Sequence, residues 1–117
     1  MSLENCLQPL EEVDGYMASA IFDINGEILA KHGVVKLDLD AFAAIASGMA
    51  RDGMKGLKEA GLGTGQFLQA NADKGILAVA WIEENETIAG FILKPDGNLG
   101  LAKRNLNKVV QAAAKEL

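Results

Sequence analysis

The sequence predicts an α+β domain in which a five-stranded antiparallel sheet carries helices on both faces. A strand–turn–strand pattern runs over residues 15–31 around the pair Asn25-Gly26, which is a strong hairpin signal. Two later segments, residues 76–82 and 88–93, are apolar on both faces, as strands buried inside a sheet are. Amphipathic stretches precede, separate and follow these strands. The predicted order is helix, two strands, helix, three strands and helix, in one domain that spans all 117 residues.

The N-terminal segment predicts a short amphipathic helix. Four apolar side chains at helical spacing share one face: Leu3, Leu7, Leu10 and Val13. Pro9 allows two interpretations, because a proline inside a helix removes a hydrogen bond and clashes one turn back. Either the helix kinks at Pro9, or it begins near Gln8 with Pro9 at its first position. The pair Asp14-Gly15 then ends it.

The hairpin that follows is predicted to close through a type I′ turn. Such a turn requires positive φ at both central residues, and the pair Asn25-Gly26 tolerates that geometry. The first arm, residues 16–22, is apolar on both faces and predicts a strand inside the sheet. The second arm, residues 27–31, alternates more loosely and predicts an edge strand.

A long middle helix is predicted over residues 39–60, after a polar bridge at residues 32–37. Asp38 and Asp40 suit its first turn, because carboxylates cap free amides and meet the positive end of the helix dipole. Its broad apolar face contains Phe42, Ala46, Met49, Ala50, Gly53, Met54 and Leu57.

Three glycines inside this helix need an explanation, since each costs about 0.5–1 kcal/mol relative to alanine. They are Gly48, Gly53 and Gly56. One interpretation is a weakly specified helix or an early break. The other is the close approach of another backbone, either from the sheet or from a second copy of the chain.

Three further strands are predicted at residues 66–71, 75–82 and 87–93. The first is short and half polar, which is typical of an edge strand. The brief polar links between the strands predict antiparallel hairpins. Asn98 is then expected to cap the last helix, whose apolar stripe contains Leu99, Ala102, Leu106, Val109, Val110, Ala113 and Leu117.

Composition disfavours several classes of function. The chain has 11 basic and 16 acidic side chains, a net charge of −5, and no basic stripe interleaved with aromatics, which argues against nucleic-acid binding. Cys6 is the single cysteine and suits a reducing compartment. The N-terminus lacks the apolar core of a signal peptide, and the longest apolar run, residues 76–82, is far shorter than a membrane span. We therefore expect a soluble cytoplasmic protein without membrane insertion.

Few residues point to catalysis. His32 is the single histidine and has no cluster of Ser, Cys or carboxylates beside it in the sequence, so a surface position is expected. Cys6 is expected to be a small buried or half-buried thiol. The glycines of residues 61–65 follow a helix and precede a strand, the wrong order for a phosphate loop. The acidic turn at residues 83–86 lacks the ligand spacing of a calcium loop. The sequence predicts no catalytic residue, metal ligand or cofactor, and no enzyme activity.

One charged pattern stands out on the middle helix. Arg51, Lys55 and Lys58 recur at spacings i, i+4 and i+7 and form a basic strip on an acidic protein. Such a strip is either a solvated face or a contact for an acidic patch on a partner.

Several motifs resemble the roadblock family of dynein light chains and its bacterial and archaeal relatives. They are Val13-Asp14-Gly15 at the end of the first helix, the strand–turn–strand at residues 20–30, and Asn98-Leu99-Gly100-Leu101 at the start of the last helix. Together with the order of helices and strands, the resemblance covers essentially the whole chain. It implies a profilin-like roadblock sheet and supplies no catalytic residue.

The resemblance also implies a homodimer that pairs edge strands and packs the middle helices side by side. Contacts between the two copies are then expected on the middle helix and on the strand at residues 66–71. The candidate residues are Ala46, Met49, Ala50, Gly53, Met54, Gln66, Leu68 and Ala70. Prokaryotic members of the family are regarded as partners of small Ras-like GTPases, which they bind through the paired helices.

The expected function is therefore that of a dimeric, non-catalytic regulator or scaffold that binds a small Ras-like GTPase, with Arg51, Lys55 and Lys58 as candidate contacts. One alternative is a structural, light-chain-like dimerisation module without effect on GTPase activity. Another is a small-ligand sensor domain with a pocket lined by three aromatic residues, Phe22, Trp81 and Phe91.

Overall fold

The computed structural model describes residues 2–34, 36–83 and 86–117. Its helices and strands are α1 (Leu3–Cys6), α2 (Gln8–Glu11), β1 (Tyr16–Asp23), β2 (Ile28–Gly33), α3 (Leu39–Glu59), β3 (Phe67–Ala72), β4 (Gly75–Glu83), β5 (Thr87–Leu93) and α4 (Leu99–Glu116). All five strands form one antiparallel sheet in the order β2-β1-β5-β4-β3. The predicted fold class is confirmed, and β2 and β3 are its edge strands as expected.

The first predicted helix is two one-turn helices. α1 ends at Cys6 and α2 begins at Gln8, with Pro9 in its first turn. Proline has no amide proton and cannot continue the helix from the preceding turn, so the chain breaks between them. Leu7 and Leu10 nevertheless remain fully buried.

The hairpin turn differs from the predicted type I′ turn. The amide of Gly26 donates to the carbonyl of Asp23 at 3.0 Å, and the amide of Asp23 donates to the carbonyl of Glu27 at 2.9 Å. The loop thus contains three residues, Ile24, Asn25 and Gly26, and Gly26 has a φ of +84°. This is the pattern of a turn followed by a left-handed glycine. The Asp23 carboxylate favours it by accepting from the amides of Asn25 and Glu27.

The sheet separates two hydrophobic cores. One core lies under α1, α2 and α4, and its largest buried side chains include Leu7, Leu10, Phe91, Leu93, Leu106 and Val109. The other lies under α3 and contains Ala20, Phe22, Phe42, Ala43, Ala46, Ala50, Val79 and Ile88. Helices on both faces explain why the central strands are apolar on both sides.

The helix α3 begins as predicted and ends one residue earlier than expected. The carboxylate of Asp38 caps it by accepting from the amide of Ala41 at 3.0 Å. Of the three glycines, only Gly53 is crowded, and the group beside it is the Leu68 side chain of β3 rather than a backbone. Apart from the helix's own backbone, no described residue lies within 4 Å of a β-carbon placed on Gly56, and a β-carbon on Gly48 meets only the end of Arg51 at 3.9 Å in the same set of residues.

The boundaries of β3, β4 and β5 differ from the predicted ones by at most one residue. β3 begins and ends one residue later than predicted, β4 extends to Glu83, and β5 has its predicted bounds. Asn98 caps α4 as expected, accepting from the amide of Leu101 at 3.1 Å. In the predicted acidic turn, Glu84 and Asn85 lie outside the described residues, as does Val35 in the predicted polar bridge.

Candidate partner-binding surface

The basic strip of α3 lies on an exposed face around a cavity of about 270 Å³. Arg51, Lys55 and Lys58 are all exposed and all line this cavity. Arg51 Nε also donates to the Ser47 carbonyl one turn back, across a long 3.4 Å. In the part of the chain that the structure describes, no carboxylate forms an ion pair with Arg51 or Lys55. The three predicted partner-binding residues therefore do lie together.

Trp81 of β4 adds an aromatic wall to the same cavity, which Met54 and Glu59 complete. Its indole nitrogen Nε1 is shielded from solvent and, among the described residues, has no hydrogen-bond acceptor. A buried donor without an acceptor is costly, because it has lost its water without replacement. We define the Trp81 pocket as this cavity, lined by Arg51, Met54, Lys55, Lys58, Glu59 and Trp81.

The residues predicted for contacts between two copies fall into two groups. Ala46 and Ala50 are buried in the protein's own core against the sheet, so their side chains are not offered to a second copy. Met54 is also buried, beside the cavity and with its sulfur accepting from the amide of Gly65 at 2.9 Å. The exposed or half-buried members are Met49, Gly53, Gln66, Leu68 and Ala70. The prediction that Ala46 and Ala50 contact a second copy is therefore wrong, because the protein's own sheet covers this face of α3.

The outer face of α3 has a small apolar area in its N-terminal half. Ile45 is 70% exposed, and Ala41 and Ala44 are exposed beside it. Gly48 extends this area without a side chain. The outer face therefore changes from apolar near Ile45 to basic around the Trp81 pocket.

β3 leaves one side of the sheet unpaired. Among the described strands it pairs with β4 alone, and its residues from Gln69 to Ala72 are exposed. On the α4 side of this strand, Lys103 Nζ lies 4.7 Å above the centre of the Phe67 ring, a cation–π contact. Unpaired amides and carbonyls on such an edge are a template for pairing with another strand.

A polar cluster at the opposite edge was not predicted. Tyr16 Oη lies 2.8 Å from Ser19 Oγ, 2.8 Å from His32 Nδ1 and 3.0 Å from the His32 carbonyl. His32 Nε2 lies 3.4 Å from a carboxylate oxygen of Glu11. The half-exposed ring of His32 agrees with the predicted surface or rim position, but it has polar neighbours that were not predicted and joins α2 to β1. The only sequence signal was Tyr16, a polar-tipped residue that needs a partner when buried.

Hydrogen-bond donors in this cluster can be assigned by exclusion. The Tyr16 hydroxyl has one proton, and the His32 carbonyl can only accept, so the hydroxyl donates to that carbonyl. Ser19 and His32 Nδ1 then donate to the Tyr16 oxygen. Burial raises the pKa of Tyr16 to about 12, the hydrogen bond with Ser19 opposes that rise, and the Glu11 charge adds to it.

A second cavity, of about 290 Å³, lies between the N-terminal helices and α4. Cys6 lines it and is buried as predicted. Burial first, and the Glu116 charge second, raise the pKa of the Cys6 thiol, so it is not a nucleophilic thiolate. Asn105 donates to the Pro9 carbonyl at 2.7 Å, while its own Oδ1 has no partner among the described residues.

The pocket expected for a ligand sensor is not formed. Phe22 lies in the core under α3 and Phe91 in the core on the other face of the sheet, so no pocket can contain both with Trp81. In the described ranges, no three His, Cys, Asp or Glu side chains are grouped to hold a metal ion. None of the described helices is long and apolar enough to span a bilayer.

The architecture is that of a small α+β domain whose sheet edge and one helix face remain uncovered. A Roadblock/LC7 domain from Streptomyces avermitilis has the same fold, with a TM-score of 0.87, 16% identity and coverage of 99% of this chain and 98% of that one. The gliding protein MglB from Thermus thermophilus gives a TM-score of 0.85 at 19% identity, over 97% of this chain and 86% of MglB. An MglB structure with a tetrameric arrangement gives 0.83 at 20% identity, over 97% and 88% of the two chains.

These comparisons identify the fold plainly. The chain has the Roadblock/LC7 fold over nearly its whole length, which confirms the fold that the motifs at residues 13–15, 20–30 and 98–101 predicted. No protein-family model matches the sequence, and no curated protein matches it.

Proposed function

We propose that this protein is a dimeric, non-catalytic regulator that binds a small Ras-like GTPase through the outer face of α3. The observation that carries the proposal is the group of exposed cations, Arg51, Lys55 and Lys58, gathered around one cavity on a chain whose net charge is −5. Charge complementarity of this kind selects partners and speeds their association. The fold shared with MglB supports the same assignment, and such a role places the protein in the cytoplasm.

The proposed dimer uses the two features that the fold leaves uncovered. Pairing of β3 with β3 of a second copy would continue the sheet through its free edge, with Gln66, Leu68 and Ala70 along the junction. The apolar area around Ile45 would then pack against the same area of the second copy. An isologous contact of this kind closes on itself and does not extend into fibres.

Light scattering over a range of protein concentrations tests the dimer. The wild type should have twice the mass of one chain, and Ile45→Lys combined with Ala70→Lys should reduce it to that of one chain. Leu29→Lys is a matched control, since Leu29 is 43% exposed but lies on β2, at the other edge. A wild type that is monomeric at every concentration contradicts the dimer.

Capture of the GTPase tests the partner. Mass spectrometry of proteins that copurify from the native host should identify a Ras-like GTPase, and charge reversal of Arg51, Lys55 and Lys58 to Glu should abolish its binding. Reversal of Lys103, Arg104 and Lys108 on α4 changes the net charge equally and should leave binding intact. If the α3 variant binds the GTPase as tightly as the wild type does, this surface is not the binding site.

The alternative of a purely structural dimerisation module uses the same fold and the same dimer. GTP hydrolysis by the captured GTPase separates the two functions. A regulator changes the rate of hydrolysis when it is added, and a structural module leaves the rate unchanged while still binding.

A further inference from the structure

The Trp81 pocket combines two properties that together select an anionic oxygen. The indole Nε1–H of its Trp81 wall is shielded from solvent and lacks an acceptor among the described residues. Because an indole nitrogen can only donate, a group that reaches it when the neighbouring side chains move must supply an acceptor. Two of the lining cations, Arg51 and Lys55, form no ion pair with a carboxylate in the described part of the chain, whereas Glu59 is the one carboxylate among the residues that line the pocket. The excess of positive charge favours an acceptor that carries negative charge.

The size of the pocket suits a single side chain. Its volume of about 270 Å³ lies at the lower end of the range of roughly 300–1,000 Å³ that is typical of small-molecule sites, so a small occupant is favoured. It exceeds several times the share of roughly 30 Å³ that one water occupies in the liquid. A carboxylate on a two-carbon stem, with a few waters, fits this space.

The wall of the pocket is able to yield to such an occupant. Arg51 and Lys55 are exposed and long, so they can move, whereas the buried Met54 stays in place because its sulfur accepts from the amide of Gly65 at 2.9 Å. Within the described ranges, the Arg51 side chain is held by the 3.4 Å bond from its Nε to Ser47, so its terminal nitrogens can turn towards a carboxylate at little cost.

We propose that the Trp81 pocket binds the carboxylate of a Glu or Asp side chain presented by the protein's partner. The carboxylate accepts a hydrogen bond from Trp81 Nε1 and forms ion pairs with Arg51 and Lys55. This inference rests on the proposed function in one respect, that the partner docks on α3. It makes Trp81 and Arg51 the anchor of that contact, which fits the prevalence of these residue types among binding hot spots.

The experiment uses the purified chain without any partner. Trp81 is the single tryptophan, so its indole ¹H–¹⁵N resonance reports on the pocket without ambiguity. Sodium propionate, which reproduces a glutamate side chain, is the probe, titrated at constant ionic strength with sodium chloride as the balancing salt. Sodium phosphate in place of propionate tests for a phosphate site.

The proposal expects a saturable downfield shift of the indole proton with propionate, larger than with phosphate. The variant with Arg51→Gln and Lys55→Gln should weaken propionate binding about tenfold, since a hydrogen bond to a charged group contributes on the order of 1.5 kcal/mol. The matched variant with Lys103→Gln and Arg104→Gln should bind as the wild type does. All four positions are exposed, so both variants should fold.

Three results would overturn the proposal: no shift beyond that of chloride, a stronger response to phosphate, or an unchanged response in the Arg51 and Lys55 variant. Trp81→Phe gives an independent check, because it keeps an aromatic ring but removes the donor. Propionate should then perturb the Arg51 Nε–H resonance more weakly than in the wild type. Since no GTPase is present, a failure here leaves the proposed function standing, and a failure to capture a GTPase leaves the pocket's chemistry standing.

Discussion

Gly15 and Gly97 pack backbone against backbone, so that a β-carbon on Gly15 would lie 2.5 Å from the α-carbon of Gly97. Gly15 also has a φ of +88°, a left-handed conformation that favours glycine. Two backbone hydrogen bonds flank this contact. The amide of Asn98 donates to the carbonyl of Asp14 at 2.9 Å, and the amide of Lys94 donates to the carbonyl of Gly15 at 2.8 Å. The start of β1 and the start of α4 are thereby held together.

Gly15→Ala should therefore destabilise the protein strongly. We expect a loss of about 3 kcal/mol or more in the free energy of unfolding, from left-handed strain of about 1–2 kcal/mol and a backbone clash that no side-chain rotation relieves. Gly61→Ala is the control, since Gly61 has a φ of +79° but no residue that the structure describes lies within 4 Å of an added β-carbon. The free energy of unfolding of Gly61→Ala should decrease only by the left-handed strain of about 1–2 kcal/mol. Equal losses in urea unfolding would show that the contact with Gly97 is unimportant.

Replacing two glycines of α3 by alanine should change the free energy of unfolding in opposite directions. Gly56→Ala should gain about 0.5–1 kcal/mol, because the helix interior favours alanine and the site is open. Gly53→Ala should lose on the order of 1 kcal/mol, because its β-carbon overlaps Leu68 and overpacking outweighs the helix gain. Chemical denaturation measures both. In a variant that already carries Leu68→Ala, Gly53→Ala should be stabilising. If the effects of the two substitutions are additive in this double-mutant cycle, the overlap with Leu68 is not the cause of the loss.

Tyr16 should make stability fall at high pH. Its pKa rises from 10.0 to about 12 in the folded protein, so between these values the native state retains a phenol proton that the unfolded state has lost. The free energy of unfolding then decreases with pH, by up to about 1.4 kcal/mol per pH unit from this group. Because Tyr16 is the single tyrosine, absorbance at 295 nm titrates it directly.

Tyr16→Phe is the control for the pH effect. The variant should lose about 1–3 kcal/mol at neutral pH, because Ser19 Oγ is buried and loses its partner. Between pH 10 and 12 its unfolding free energy should decrease less steeply than that of the wild type. Parallel curves for the two proteins would mean that the phenol titrates equally in both states.

Asn105 should determine how firmly the N-terminal helices dock. Asn105→Ala removes the 2.7 Å bond to the Pro9 carbonyl, and we expect a loss of about 1–3 kcal/mol. Hydrogen exchange should accelerate in residues 3–11 more than in the sheet. Asn107→Ala on the exposed side of α4 is the matched control and should leave exchange unchanged. Uniform acceleration across the chain would argue against a local role.

The pattern of apolar residues predicted the sheet and its edges well, because strands covered on both faces lose their alternation. The turn was less predictable. The pair Asn25-Gly26 suits a two-residue loop, but the Asp23 carboxylate binds two loop amides and shifts the closure by a residue. Such side-chain competition depends on geometry that the order of residues does not contain.

The surface residues show a different limit of prediction. An apolar helix face looks the same whether a sheet or a second copy covers it, so Ala46 and Ala50 could not be assigned from their spacing. Arg51 and Lys55 were found because they share one helix. Trp81 joins them only through the fold, just as the pairing of Ser19 with His32 across β1 and β2 brings Tyr16 to the histidine.

The docking of α2 on α4 has a consequence during synthesis. Pro9 and Asn105 are 96 positions apart, and a ribosome that adds roughly 5–20 residues per second needs roughly 5–20 s to make the intervening chain. Throughout that time Leu7 and Leu10 have no α4 to cover them. The segment of residues 3–11 therefore reaches its final packing only after α4 has been synthesised.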